Sequence, residues 1–180
     1  MNTPRSKKPK RYPPSKSKRT PIPTGGSYES GVTDSKMKKL LGELASYWPH
    51  VEDAMVHFFH ELLGAQRFIP SRQLYKSIVN TQIRIGIMRT LLERTPLNKT
   101  RSDKYDEVID EFASLNGQRN TYLHGLWYTY EDGRTFFCEL AIDEDHFLDQ
   151  REIKHKEIEN VINRMRSLQA TIKMKQYLRP

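Results

Sequence analysis

The chain has 180 residues, of which 36% are hydrophobic and 29% charged, with a formal net charge of +8. That length suits one domain, and the polar composition means that part of the chain is unfolded or that its helices are thin and well solvated. A single cysteine, Cys138, excludes an intramolecular disulfide and a multi-cysteine metal site.

The charge is not evenly spread. Residues 1–32 carry eight basic residues, among them Lys7, Lys8, Lys10 and Arg11, and one acid, Glu29. Residues 33–180 hold 22 basic and 21 acidic residues, so the fold itself is nearly neutral. The segment 1–32 is also rich in proline and glycine and almost free of aliphatic residues. It cannot bury enough surface to offset its ordering entropy, which predicts a basic disordered tail. Such a tail suits contact with RNA, DNA or an acidic partner; the plainer alternative is a solubilising linker. No apolar stretch follows the basic residues, so no secretory signal is expected. No run approaches the ~20 apolar residues of a membrane span, so no membrane partner is expected and a cytoplasmic location is the default.

Order is expected from Thr33 or Asp34, either of which can cap a helix. Leu40, Leu41, Leu44, Trp48, Val51, Met55, Phe58 and Leu62 then recur at helical spacing. Pro49 either kinks this helix or begins a new one, and Gly64 suits its end. A second helix is expected from about Ser71, with Leu74, Ile78, Ile85, Met88 and Leu92 facing inward. Thr95-Pro96-Leu97-Asn98 breaks it. A third is expected from about Ser102 to Gly125, through Val108, Ile109, Phe112 and Leu115, weakened at Gly117. Leu126–Tyr130 and Arg134–Leu140, joined by Glu131-Asp132-Gly133, predict a β-hairpin. A long helix from about Asp143 to Leu178 closes the chain. The fold class is therefore mainly α: an antiparallel bundle of about four helices, with one short β-hairpin before the last.

Few residue groups suggest chemistry. There is no phosphate-cradling glycine loop and no nucleophile elbow. His57 and His60, three apart near His50, Glu52 and Asp53, are the best metal candidates, but two histidines fall short of a zinc set and capping or exposed roles are commoner. No metal and no cofactor are expected. Cys138, within Phe136-Phe137-Cys138, reads as a buried structural thiol.

The segment Gly117-Gln118-Arg119-Asn120-Thr121-Tyr122-Leu123-His124-Gly125 is more informative. Asn120 and His124 are four apart and share a helix face. Arg119 and His124 are five apart, about 140° around the axis, so a long arginine or a second copy of the helix must bring them together. Arginine grips phosphate oxygens and histidine moves protons near neutral pH. The bland alternative makes Arg119 a surface charge, Asn120 a helix-end residue and His124 a favourable partner of the helix dipole. Trp127 suits packing of the hairpin on the helices. Tyr128 and Tyr130, on the opposite face of that strand, suit either packing or stacking of RNA bases.

Arg119-Asn120, three further residues and His124, late in a helix of a mainly α chain and followed by Gly125, resemble the motif of the HEPN superfamily. The resemblance covers roughly residues 33–180; the tail has no counterpart in the shared fold. It implies a homodimer in which two motifs meet in one cleft, and a metal-independent endoribonuclease of toxin–antitoxin, phage-defence or RNA-processing systems, with an antitoxin protein as a further partner. In that setting Arg119 orients the scissile phosphate, His124 transfers protons as the RNA 2′-hydroxyl attacks, and Asn120 positions either. Some toxin members carry a tyrosine two positions after the histidine, where this chain has Leu126, which puts that route of regulation in doubt. A non-catalytic HEPN-like module binding RNA, nucleotide or protein is the main alternative. A third is a helical dimer whose basic tail binds nucleic acid.

Overall fold

A computed structural model describes residues 28–138 and 150–177. The tail cations Lys7, Lys8, Lys10 and Arg11 lie outside the described residues. The chain is mainly helical, with elements in the order β1 (Tyr28–Ser30), α1 (Ser35–Leu63), α2 (Phe68–Ser77), α3 (Thr81–Arg94), α4 (Lys99–His124), β2 (Leu126–Tyr130), β3 (Thr135–Cys138), β4 (Gln150–Glu152) and α5 (His155–Tyr177). No helix among the described residues is long and apolar enough to cross a membrane.

Helix α1 is the axis of the bundle and touches α2, α3, α4 and α5. Asp34 caps it, accepting from the Lys36 and Met37 amides at 2.7 and 3.2 Å. Gly64 ends it in the left-handed conformation at φ 60°, where glycine carries no Cβ penalty. The helix runs unbroken through Pro49, which costs it about 3 kcal/mol. Leu44, Trp48, Val51 and Met55 bracket that position and are all buried. Each contributes roughly 1.5–3 kcal/mol, so their shared face outweighs the missing hydrogen bond.

The helix expected from Ser71 to Leu92 is two helices. Asn80 caps α3, accepting from Gln82 and Ile83 at 2.8 and 3.2 Å. This restart resets the helical phase, so Leu74 is not buried: it is 48% exposed, and Ser71 and Tyr75 face inward instead. Arg84 ties the corner together. Its Nε donates to the Ile78 carbonyl at 2.6 Å, its guanidinium pairs with Glu52 at 2.7 Å and covers the Tyr75 ring at 4.5 Å. The Tyr75 hydroxyl donates to the same carboxylate at 3.0 Å. Burial, with Glu52 beside it, pushes the Tyr75 phenol well above its ordinary value.

Helix α4 begins at Lys99, three residues before the expected Ser102, because Asn98 caps it. Gly117 does not interrupt it. The hairpin is present, but it is the centre of a four-stranded antiparallel sheet in the order β1-β2-β3-β4. Tyr28–Ser30, assigned by composition to the tail, pairs with β2. The Thr129 hydroxyl donates to the Gly31 carbonyl and accepts from the Thr33 amide, both at 3.1 Å, and so holds the chain that leads into α1. A single closing helix from Asp143 is corrected as well: β4 occupies Gln150–Glu152, and α5 begins at His155. The expected start at Asp143 lies outside the described residues.

The N-termini of α1 and α5 meet where His155 Nε2 lies 2.5 Å from Asp34 Oδ2. Burial pushes the Asp34 carboxyl up, but the Met37 amide, His155 and the Lys36 amide together outweigh this and hold it below its ordinary value of 3.8. Its stabilising contribution is therefore complete above that value and lost as pH falls through the depressed one. Asp34→Ala is expected to cost about 1 kcal/mol at neutral pH, as cap removal does. The gap between variant and wild type in urea melts should close on acidification below pH 3.8.

Candidate functional site

The run from Gly117 to Gly125 forms the last two turns of α4 and the junction with β2. Asn116, Asn120 and His124 are spaced by four, so they form one slowly drifting stripe. It emerges from the core toward the helix end: Asn116 is buried, whereas Asn120 and His124 are exposed. Asn116 was not singled out from sequence, since an asparagine within a charged helix carries no signal until its burial is known.

Arg119 is half-buried, and its guanidinium Nη1 donates to Asn120 Oδ1 at 2.9 Å. The arginine thus bends toward Asn120, which lies one helical turn before the exposed His124. Its Nε is buried and has no hydrogen-bond partner among the described residues. Leaving such a donor unmade costs about 1–3 kcal/mol. The contrast with other arginines is informative. Among the described residues, the half-buried arginines Arg84, Arg89, Arg134, Arg151 and Arg164 each pair with a carboxylate. Arg119 alone in that set does not. A partly desolvated cation without a counter-charge is suited to an incoming anion.

The helix end is held firmly. Arg164 of α5 forks onto Glu111 at 2.7 and 2.8 Å and reaches Ser114 and Gln118, each at 3.1 Å, one residue before Arg119. On the other side, Trp127 Nε1 donates back to the Tyr122 carbonyl at 2.9 Å, satisfying a group the helix end leaves open. Trp127 packs on the helical core with Phe137, as strand alternation predicts. Gly125 has an ordinary backbone conformation, φ −81° and ψ 167°, so its role is spatial. A Cβ there would lie 1.9 Å from the Phe137 ring. The absence of a side chain lets the sheet close directly onto the end of α4.

The remaining candidates separate. Tyr128 is half-buried on the sheet face opposite Trp127. Tyr130 is only 6% exposed and packs edge-on against Phe136 at 4.9 Å, so its ring faces are not open to a base. His57 stacks on Phe68 at 4.4 Å, and His60 Nδ1 lies 3.0 Å from the Ser71 hydroxyl. Among the described residues no three histidine, cysteine, aspartate or glutamate side chains are placed to hold a metal ion. Cys138 is buried and in no disulfide.

The chain matches no protein-family model, no curated protein and no solved structure.

Two glycine substitutions should act in opposite directions. Gly125→Ala drives a methyl into Phe137 and is expected to destabilise by about 1–3 kcal/mol or more, as overpacking does. Adding Phe137→Leu should recover part of that loss. Gly117→Ala, where nothing lies within 4 Å of the new carbon, should stabilise by about 0.5–1 kcal/mol through helix propensity. Denaturant melts of the four proteins check both signs.

Proposed function

We propose that the protein is a metal-independent endoribonuclease of HEPN type, working as a homodimer with Arg119, Asn120 and His124 at its site. One observation carries this reading. Arg119 is the described half-buried arginine without a carboxylate, and it is turned onto Asn120, one helical turn from the exposed His124. Phosphoryl chemistry needs a fixed cation for the scissile phosphate and a nearby group that exchanges protons.

In this proposal the RNA 2′-hydroxyl attacks the adjacent phosphorus and the 5′-oxygen leaves. Arg119 holds the non-bridging oxygens and stabilises their growing charge. His124 from one protomer takes the hydroxyl proton, and that of its partner protonates the leaving oxygen. Asn120, its Oδ1 engaged by Arg119, keeps the guanidinium aimed at the phosphate. The products are a 2′,3′-cyclic phosphate and a 5′-hydroxyl end. Gly117 shares the helix face of Asn120 and His124 and leaves open space beside it, which suits close approach of a second copy or of the RNA backbone. Tyr128, half-buried, is kept in this proposal as a residue against which a base could stack; Tyr130 is left out because it is buried. Toxin–antitoxin or phage-defence roles, with an antitoxin as a protein partner, extend the same proposal.

A specific observation favours a second reading. No hydrogen bond to the His124 ring is found among the described residues, and a catalytic base is normally oriented by a third group. A binding module would need the cation but not an oriented histidine.

Cleavage of a mixed single-stranded RNA in EDTA separates the two. Wild type is expected to leave cyclic-phosphate ends. Arg119→Ala and His124→Ala, checked for native melting, should each lose on the order of 10²-fold or more in rate. Loss of RNA affinity in Arg119→Ala, with no cleavage by any protein and full affinity in His124→Ala, would establish the binding module instead.

A further inference from the structure

Helix α2 and the start of α3 carry a surface that the proposed site does not use. From Leu62 to Leu92 the chain contains no acidic residue and five basic ones. Two of these, Arg84 and Arg89, are neutralised by Glu52 and Asp110. The other three, Arg67, Arg72 and Lys76, are exposed and form no ion pair with another described residue. Among them stand four large apolar side chains facing solvent: Ile69, Leu74, Val79 and Ile83, with 68, 48, 89 and 56% of their surface exposed. Together they are four of the six such side chains among the described residues, and they fall within fifteen consecutive positions.

The pattern narrows the occupant. A twofold contact of this face with itself would set Arg67, Arg72 and Lys76 against their own copies. RNA would satisfy the cations but offers nothing to isoleucine, leucine and valine, which do not stack on bases as aromatic rings do. Val79, the most exposed of the four, stands at the corner where α2 turns into α3. An exposed aliphatic corner beside a helix that carries unpaired exposed cations suits a fluid surface that needs no complementary shape. We propose that this face docks on an anionic lipid bilayer. Val79 and Ile83 enter the headgroup–acyl boundary, and Arg67, Arg72 and Lys76 meet lipid phosphates and carboxylates.

Membrane attachment of this kind takes two signals to be stable. The chain supplies the second in sequence, since eight basic residues lie within its first 32. The expectation of no membrane partner rested on the length needed to span, and lying on the surface does not require a span. The docking face is distinct from the Arg119 site, so either proposal stands without the other.

The test is co-sedimentation of the full chain with phosphatidylcholine vesicles containing 30% phosphatidylserine, and with pure phosphatidylcholine vesicles, at ~0.15 M salt. Wild type should bind the anionic vesicles and not the neutral ones. The Val79→Asp/Ile83→Asp variant, altered only at exposed positions and checked for native melting, should bind the anionic vesicles at least tenfold more weakly. Its RNA cleavage, where wild type cleaves, should be unchanged. Equal binding by variant and wild type would overturn the proposal and assign adsorption to the tail alone. No binding by wild type would overturn it as well, leaving the face to an acidic protein partner.

Discussion

The fold depends on one long apolar stripe. Helix α1 runs for 29 residues and presents Met37, Leu40, Leu44, Trp48, Val51, Met55, Phe58, Phe59 and Leu62 to every other helix. Trp48 stacks on Phe112 of α4 with ring centroids 5.4 Å apart, and Phe58 meets Tyr105 of the same helix edge-on at 5.2 Å. Polar ties sit at the margins of this stripe. Glu52 holds Tyr75 and Arg84, and Glu61 holds Tyr105 and Arg101 in the same three-residue pattern. Each carboxylate lies at the rim of the core, where a tyrosine hydroxyl and an arginine satisfy it together. Apolar burial thus sets the arrangement, and the two tyrosine–glutamate–arginine groups tie α1 to α2 and α3 and to α4 at its margins.

The candidate site inherits its rigidity from that arrangement. Arg119, Asn120 and His124 do not come from a loop; they occupy the end of a 26-residue helix gripped from α5 by Arg164 and from the sheet by Trp127. Gly125 lets the Phe137 ring close onto the junction, so β2 begins one residue after the helix ends. Sites placed on packed elements hold their side chains more precisely than sites on loops. Arg119, which pairs with no carboxylate among the described residues, is therefore held where it is by a well-packed helix end.

Much of this was legible in the sequence wherever a local signal was strong and uncontested. The stripe of α1 was clear from helical spacing, and it survives Pro49 because the buried side chains on both sides outweigh one lost hydrogen bond. The hairpin was clear from alternation and from Glu131-Asp132-Gly133, with Gly133 adopting φ 81° in the turn. The division of α2 from α3 was missed because Asn80 acts as a cap only once the chain bends there. In one-dimensional spacing it merely interrupts a plausible stripe. The strands β1 and β4 were missed for a different reason. Each has three residues, too few for a periodicity, and each is a strand only because β2 or β3 lies beside it.

The sequence by itself determined a mainly α chain, a neutral fold behind a basic N-terminal segment, and the spacing that puts Asn120 and His124 on one helix face. These follow from composition and from the 3.6-residue turn, which need no partner element. Tertiary structure decided the rest. It buried Asn116 and Tyr130, gave carboxylates to five half-buried arginines but, among the described residues, none to Arg119, and left Ile69, Leu74, Val79 and Ile83 facing solvent. Burial and charge pairing depend on what packs opposite a residue, and that is set by segments far away along the chain.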